Sequence, residues 1–292
     1  MPSDRLYRFL FDNADVRGEI VQLEDVYREV VGRAAYPAAV AQIVGEGLAA
    51  VCLLTATLKF HGSLTLQIQA EGPLRLLVVQ AGSDGTIRAM ARADGDVPAD
   101  APLHRQARNG ALAITIDPED ANDRYQGVVD LAPGSLAAAI EKYFRDSEQL
   151  DTRVWLRADA QGVGGMLLQR MPEQATDDED AWDRACHLAD TITDEELRTL
   201  PPPDIIRRLF HEEDIRLFDP FPFRFHCRCS RERVAGLIRS LGEEEARDIL
   251  QEQGRIEIRC DFCNEPYRFD AVDVEEVLVD PAERSPHSDN RH

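Results

Sequence analysis

Phe225-His226-Cys227-Arg228-Cys229-Ser230 and, further on, Cys260-Asp261-Phe262-Cys263 decide how the C-terminal part of this chain folds. Two close pairs of thiols, joined by a segment able to fold back on itself, form a four-ligand zinc signature, because zinc binds four thiolates tetrahedrally. The common knuckle is C-x2-C, whereas a single residue separates the first two sulfurs here. Thirty residues lie between Cys229 and Cys260, enough for two short helices and a strand. Ser230 is placed to cap a helix carrying Val234, Leu237, Ile238 and Leu241, a second helix follows near 243–253, and Gly254 precedes a strand over 255–259. A module over residues 221–280 makes a poor core unaided, so a metal is needed to hold it. In such modules the apparent zinc-binding free energy is roughly 10–16 kcal/mol and is largely the folding free energy. The chemistry leaves two roles open. One is a passive structural zinc ribbon; the other is a thiol switch, in which oxidation to sulfenic acid or disulfide removes the ligands. His226 is a substitute ligand in principle, but four cysteines already complete the site.

The segment before the module, residues 173–220, changes composition sharply. Glu173, Asp177, Asp178, Glu179, Asp180 and Asp183 give it an acidic entry, and Leu188, Ile192, Leu197, Leu200, Ile205, Ile206, Leu209 and Phe210 give it an apolar face. The proline run at 201–203 interrupts it, which predicts at least two helices joined by a rigid turn. Its high charge and moderate apolarity predict a linker whose folded state is marginal. Residues 281–292 form a polar tail without core-forming residues, read as disordered.

Residues 1–172 carry most of the aliphatic side chains. Residues 36–60 read as a long helix, apolar on most sides and hence buried. Residues 63–70 alternate, with Leu64, Leu66 and Ile68 on one side and Thr65, Gln67 and Gln69 on the other, a half-buried strand. Gly72-Pro73 and Gly82-Ser83-Asp84-Gly85 turn this strand into two more, over 74–80 and 86–93, an antiparallel meander. Further strands are expected over 125–131, 153–158 and 162–170, and Ser135 is placed to cap a helix carrying Leu136, Ile140, Tyr143 and Phe144. Helices interspersed with hairpins make the class α+β: a mixed helix and antiparallel-sheet N-terminal domain, a helical linker and a small C-terminal zinc module.

Composition narrows the function. The 292 residues carry 33 Lys and Arg against 54 Asp and Glu, a formal charge of −21, which disfavours nonspecific binding to nucleic-acid phosphates. The arginines of the module (Arg224, Arg228, Arg231, Arg233, Arg259) are outweighed by its acids. No stretch reads as approaching the ~18 apolar residues of a membrane span, and the N-terminus lacks a secretory h-region, so the cytosol is expected. There close cysteine pairs bind metal or do redox chemistry rather than staple a fold. Cys52 falls in the apolar helix and reads as a buried small hydrophobe; Cys186, beside His187, has no second ligand pair and reads as incidental. There is no P-loop, no dinucleotide fingerprint and no nucleophile elbow. Ser147-Glu148-Gln149 reads as a helix end rather than a catalytic group, so no enzyme is expected.

Taken together, these residues resemble the bacterial 33-kilodalton heat-shock protein family, the redox-switched holdase chaperones. The likeness is close in Phe210-His211-Glu212-Glu213, Arg216-Leu217-Phe218, and Phe225-His226-Cys227-Arg228-Cys229-Ser230-Arg231-Glu232-Arg233. It continues through Cys260-Asp261-Phe262-Cys263 and Tyr267-Arg268-Phe269-Asp270, and reaches the first domain at 143–149, 164–169 and 64–74. The resemblance implies a reduced, zinc-bound, inactive form with Cys227, Cys229, Cys260 and Cys263 as ligands. It implies an oxidised form in which Cys227 pairs with Cys229 and Cys260 with Cys263, zinc is lost, the module unfolds and the linker becomes unstable. Apolar surface would then bind unfolding client proteins without ATP, in a form that is typically a homodimer. The departures are the acidic insertion at 177–183, the proline run and the extended tail. Two other classes remain in view: a zinc-ribbon adaptor, and a thiol–disulfide oxidoreductase, which would set its C-x2-C at the start of a helix in a βαβ unit.

Overall fold

Arg5–Phe11 (β1) and Val16–Leu23 (β2) pair antiparallel at the start of the chain. Sequence reading left both unassigned, because each is buried on both faces and lacks the one-sided alternation of an amphipathic strand. Leu6, Val21 and Leu23 face one hydrophobic cluster and Phe9, Phe11, Val16 and Ile20 face another. The computed structural model describes residues 3–57, 61–94, 102–119, 124–131, 134–172, 178 and 180–278. Asp25–Gly32 (α1) follows β2, its N-terminal N–H groups on Glu24, Asp25 and Val26 held by the carboxylate of Asp4 at 2.9–3.3 Å.

Ala38–Thr57 (α2) is apolar all round and packs against strands of both sheets. It corrects the reading that no stretch is long and apolar enough to cross a membrane: this helix is, and alanine, glycine and threonine among its residues conceal it from a scan for large apolar side chains. Its residues are largely buried inside the fold. A Cβ on Gly45 would come within 2.7 Å of Ala158, and one on Gly47 within 2.9 Å of Val79, so two glycines let the strands approach the helix on either side.

The expected meander is present as Gly62–Gln69 (β3), Leu74–Gly82 (β4) and Thr86–Ala93 (β5). A single turn, Leu103–Gln106 (α3), leads to Ala111–Pro118 (β6), which pairs with β3 and was not anticipated, and then to Tyr125–Asp130 (β7). Leu136–Tyr143 (α4) starts where Ser135 accepts the N–H of Ala138 at 3.3 Å. A π-helical turn, Phe144–Glu148, extends it and ends at Gln149 with φ 56°. Glu148 there accepts the hydroxyls of Tyr125 (3.2 Å) and Tyr143 (2.9 Å), which gives the Ser147-Glu148-Gln149 stretch a structural part. Thr152–Ala158 (β8) and Val163–Arg170 (β9) complete the mixed α+β architecture.

The linker, expected to hold at least two helices, holds three: Ala181–Ala189 (α5), Asp194–Thr199 (α6) and Pro202–Leu209 (α7). Thr193 and Glu196 form a reciprocal capping box at α6. The proline run starts α7 instead of merely interrupting a helix, since proline at the first turn sacrifices only an N–H that has no helical partner. Of the acidic entry, Glu173, Asp177 and Glu179 lie outside the described residues, as does the tail at 281–292. The chain then runs through Ile215–Leu217 (β10), Phe221–Pro222 (β11) and Arg224–Phe225 (β12). The first sheet has the order β10-β1-β2-β9-β8, with β11 also on β1; the second is β12-β5-β4-β3-β6-β7.

α5, α6 and α7 cover the face of the first sheet that α2 does not. Ala181, Ala185, Ala189, Leu197, Ile205, Ile206, Leu209 and Phe210 cluster with Phe9, Phe11, Ile20, Trp155, Met166 and Leu168. Polar ties reinforce the seal. The Gln22 amide donates to the carbonyls of Leu197 (3.0 Å) and Leu200 (2.7 Å), and Asp190 accepts from Arg153 (2.9 Å) and the Trp155 indole (3.1 Å). Arg157 pairs with Asp194 and Arg198 with Asp159.

The chain divides into two compact units between His226 and Cys227 rather than at 221, because β11 and β12 are sheet strands of the first unit. The second unit comprises Arg231–Leu241 (α8), Glu243–Gln253 (α9), the antiparallel strands Ile256–Arg259 (β13) and Pro266–Phe269 (β14), and Ala271–Leu278 (α10). Its described core is small: Val234, Ala235, Ile238, Ala246, Ile256, Phe269 and Val274.

Candidate metal centre

Cys260-Asp261-Phe262-Cys263 forms the tight connection between β13 and β14. The Cys260 N–H donates to the Glu265 carbonyl (3.1 Å), and the Asn264 N–H returns to the Cys260 carbonyl (2.8 Å). Asn264 takes φ 58°, a left-handed conformation that asparagine tolerates better than most residues. This turn aims both sulfurs the same way. Cys227 and Cys229 lie in the extended segment just before α8, whose first turn is fixed by Ser230 accepting the Arg233 N–H at 3.3 Å. Arg233 also donates to the Arg228 carbonyl at 2.9 Å, which sets the path of the C-x-C segment. Arg231 lies 4.3 Å from the centre of the Phe269 ring and pairs with Asp273 at 2.7 Å, tying α8 to β14 and α10.

The outcome is a convergence of all four thiols. The Cys227 and Cys260 sulfurs are 3.6 Å apart, those of Cys229 and Cys263 3.3 Å, and all four lie within 4.8 Å of one another. A metal bonded to four thiolates at the zinc–sulfur length sets its donors about 3.8 Å apart, so the cluster is the size such an ion requires. The donor set is soft and all-sulfur, the kind that suits a thiophilic metal ion rather than a hard, oxygen-seeking one. Every cysteine is a free thiol. Each of these two contacts joins a sulfur of one motif to a sulfur of the other.

The four thiols are not equivalent. Burial pushes Cys227 above its ordinary value, opposed by the Cys229 N–H, and pushes Cys263 far up. Burial opposes the Cys229 thiolate as well, yet the Tyr267 hydroxyl and the surrounding thiols hold Cys229 below the ordinary thiol value. Tyr267 donates to Cys229 at 3.1 Å. Sequence reading gave this tyrosine no part in the site; the available signal was a hydroxyl-bearing aromatic on the strand that follows the C-x2-C. His226 stands outside the cluster. Cys52 is buried in α2 and Cys186 in α5, the first raised well above its usual value by burial and the second pushed up to about 12 by the same cause.

Comparison with known proteins places this geometry. Residues 4–270 match the family model described as Hsp33 protein. The 33 kDa chaperonin of Methylobacillus flagellatus is 48% identical over 279 residues, covering 95% of each chain. That of Ectopseudomonas mendocina is 47% identical over 99% of this chain and 100% of its own. The crystal structure of a 33 kDa chaperonin, a heat shock protein 33 homolog from Thermotoga maritima, superposes with a TM-score of 0.80 at 24% identity, over 94% of this chain and 98% of that one, which establishes a shared fold. The chain belongs to the Hsp33 family of chaperones.

Proposed function

We propose that the chain is a redox-regulated, ATP-independent holdase of the cytoplasm, a binding protein rather than an enzyme, active on unfolding clients as a homodimer. The observation that carries the proposal is the convergence of Cys227, Cys229, Cys260 and Cys263 on one tetrahedron-sized cluster in a unit with a small core. Zn2+ is the ion that fits, and when bound it supplies the cross-link that the core lacks. The residues do the rest. In the reduced state the four thiolates hold the unit folded. Hydrogen peroxide takes two electrons from each pair and is reduced to water, leaving Cys227–Cys229 and Cys260–Cys263 disulfides, which offer no thiolate donors. The second unit then unfolds, and α5, α6 and α7 lose their hold. What they uncover is the face carrying Phe9, Phe11, Ile20, Trp155, Met166 and Leu168, an apolar surface suited to exposed segments of a client.

The test compares reduced and peroxide-treated protein in suppressing aggregation of a thermally unfolding client, with a chelating dye reporting metal release. Suppression only after oxidation, in step with release, is expected. Equal suppression in both states would favour a zinc-ribbon adaptor, and catalytic turnover of substrate disulfides would favour an oxidoreductase. Either outcome sinks the switch.

A further inference from the structure

β12 consists of Arg224 and Phe225 alone, and Cys227 is the next residue but one. It lies parallel on the edge of β5, with Arg224 opposite Thr86 and Phe225 opposite Ile87. The Arg224 N–H donates to the Gly85 carbonyl at 2.9 Å and the His226 N–H to the Ile87 carbonyl at 3.1 Å. Strand alternation therefore points the Phe225 N–H away from β5, and turns the backbone groups of Ile87 and Ala89 outward along with the Gly85 carbonyl. Beyond Ala89 the Tyr36 hydroxyl accepts the Ala91 N–H at 3.1 Å and closes the edge. Two side chains complete the seat. Arg224 donates to the carbonyl (3.0 Å) and the carboxylate (3.3 Å) of Asp84. Phe225 packs on the large core cluster, with the Arg33 guanidinium 4.7 Å from its ring centre. The attachment is thin. A main-chain bond contributes about 1 kcal/mol net, and parallel pairing is the weaker kind. The Arg224–Asp84 pair, its side chains exposed at 62% and 56%, adds little. Upstream, β12 is tethered by β11 and by the Phe223 N–H on the Asp4 carbonyl at 2.8 Å; downstream, its tether is Cys227.

We propose that β12 is a stand-in for a client: once oxidation frees its downstream end it peels from β5, and an extended segment of an unfolding protein adds to the vacated edge between Gly85 and Ala89, parallel to β5. The inference rests on the holdase reading and deepens it by naming a contact and the kind of segment it takes. Strand edges present unpaired N–H and C=O groups that accept any extended chain. Recognition through the main chain tolerates sequence, as a binder of many unfolded proteins requires. The side chains of the displaced segment show which sequences fit best. In Phe223-Arg224-Phe225-His226 aromatic and basic residues alternate. The vacated Phe225 seat, beside the Arg33 guanidinium, takes an aromatic ring. Asp84, on a chain of formal charge −21, favours a basic residue just before it. The contact is separate from the apolar face under α5, α6 and α7, which belongs to the first sheet. Because β11 keeps β12 close by, β12 competes with the client for the edge, so this contact is weak and reversible.

Fluorescence anisotropy of a fluorescein-labelled peptide of residues 221–228 carrying Cys227→Ser, titrated with the full chain, tests this. The peptide should bind the peroxide-treated chain and not the reduced one. Methylating the backbone nitrogen of Arg224 or of His226 in the peptide should weaken binding by at least about tenfold, since each change removes a donor to β5. Methylating that of Phe225, which points away from β5, should leave the affinity unchanged. A thermally unfolding client added in excess should displace the peptide. No binding to the oxidised chain, or the same effect from all three methylations, excludes strand pairing at this edge, and a bound peptide that the client fails to displace excludes the edge as a client contact. Each of these overturns the proposal and leaves the holdase reading standing, provided that the same oxidised sample suppresses client aggregation. An oxidised sample that does not suppress it overturns both.

Discussion

Replacing Phe210 by alanine removes the ring that ends the linker's apolar seal while leaving all four thiols in place. Phe210 is 1% exposed, and its ring centre lies 5.1 Å from that of Phe11, edge-on, and 5.8 Å from that of Phe9. Truncating a buried phenylalanine costs about 3–5 kcal/mol. Here the loss falls on the docking of α5–α7 over the first sheet, because the partners are β1 and the linker itself. A penalty of about 3 kcal/mol raises the undocked fraction roughly a hundredfold. If the docked linker is as marginal as its composition suggests, that shift leaves an appreciable fraction open in the reduced protein. The chain contains its own reporter. Its two tryptophans, Trp155 on β8 and Trp182 on α5, both pack in this cluster, so undocking should move their emission to the red. The expected result for reduced Phe210→Ala is a red-shifted emission, client protection without oxidant, and metal still bound at the stoichiometry of the wild type. A variant with bound metal, wild-type emission and no protection would refute the assignment of the linker as the element that masks the client surface.

Cys260→Ser removes one of the four donors and should weaken metal binding and give partial holdase activity without oxidant; a fully inactive, well-folded variant would count against the switch. Tyr267→Phe deletes the hydroxyl on Cys229, and a change of this kind behind a metal ligand typically costs about 10–100-fold in affinity, to be read by competition with a chelating dye. Glu19, buried at 2% exposure and hydrogen-bonded by Thr57, is raised to about 7, chiefly by burial, with Arg17 and Arg8 opposing. Its folded value lies above its unfolded one, so the folded state binds the extra proton between about pH 4.5 and 7, and stability falls as pH rises through that window and is flat above it. The loss is on the order of 3 kcal/mol, and Glu19→Gln should flatten this slope in urea unfolding followed by tryptophan emission at pH 5 and pH 8.

Much of this was legible in the chain because the relevant signals are local. The meander of β3 to β5 announces itself by alternation and by glycine turns, and Ser135 and Ser230 mark helix starts with their own side chains. The four thiols of the candidate site were identifiable from spacing alone, since the geometry of a C-x2-C turn is short-range. Most of what escaped was set by distant partners. β1 and β2 sit between other strands and their patterns reflect neighbours that the local sequence does not contain, whereas β6 does alternate, with Leu112 and Ile114 buried, a local signal present in the sequence. The proline run marks the break between α6 and α7, whereas the further break between α5 and α6, at 190–193, carries no proline or glycine to announce it. Tyr267 was missed because its role depends on a sulfur brought to it across the fold, from Cys229.

β9 ends at Arg170 and β10 begins at Ile215, and both strands belong to the first sheet. The linker between them is therefore a closed loop anchored at both ends, not a free arm. When its helices let go, the ends stay within the reach set by the sheet, so most of the closure entropy of a loop this long is never regained by the open state. Redocking is then a unimolecular event over a short distance, independent of protein concentration. Under the proposed switch, the covering segment stays at hand while a client occupies the surface, and the two compete for the same apolar face. Restoring the thiols would then shift that competition toward the loop and make release of the client a displacement rather than a passive dissociation.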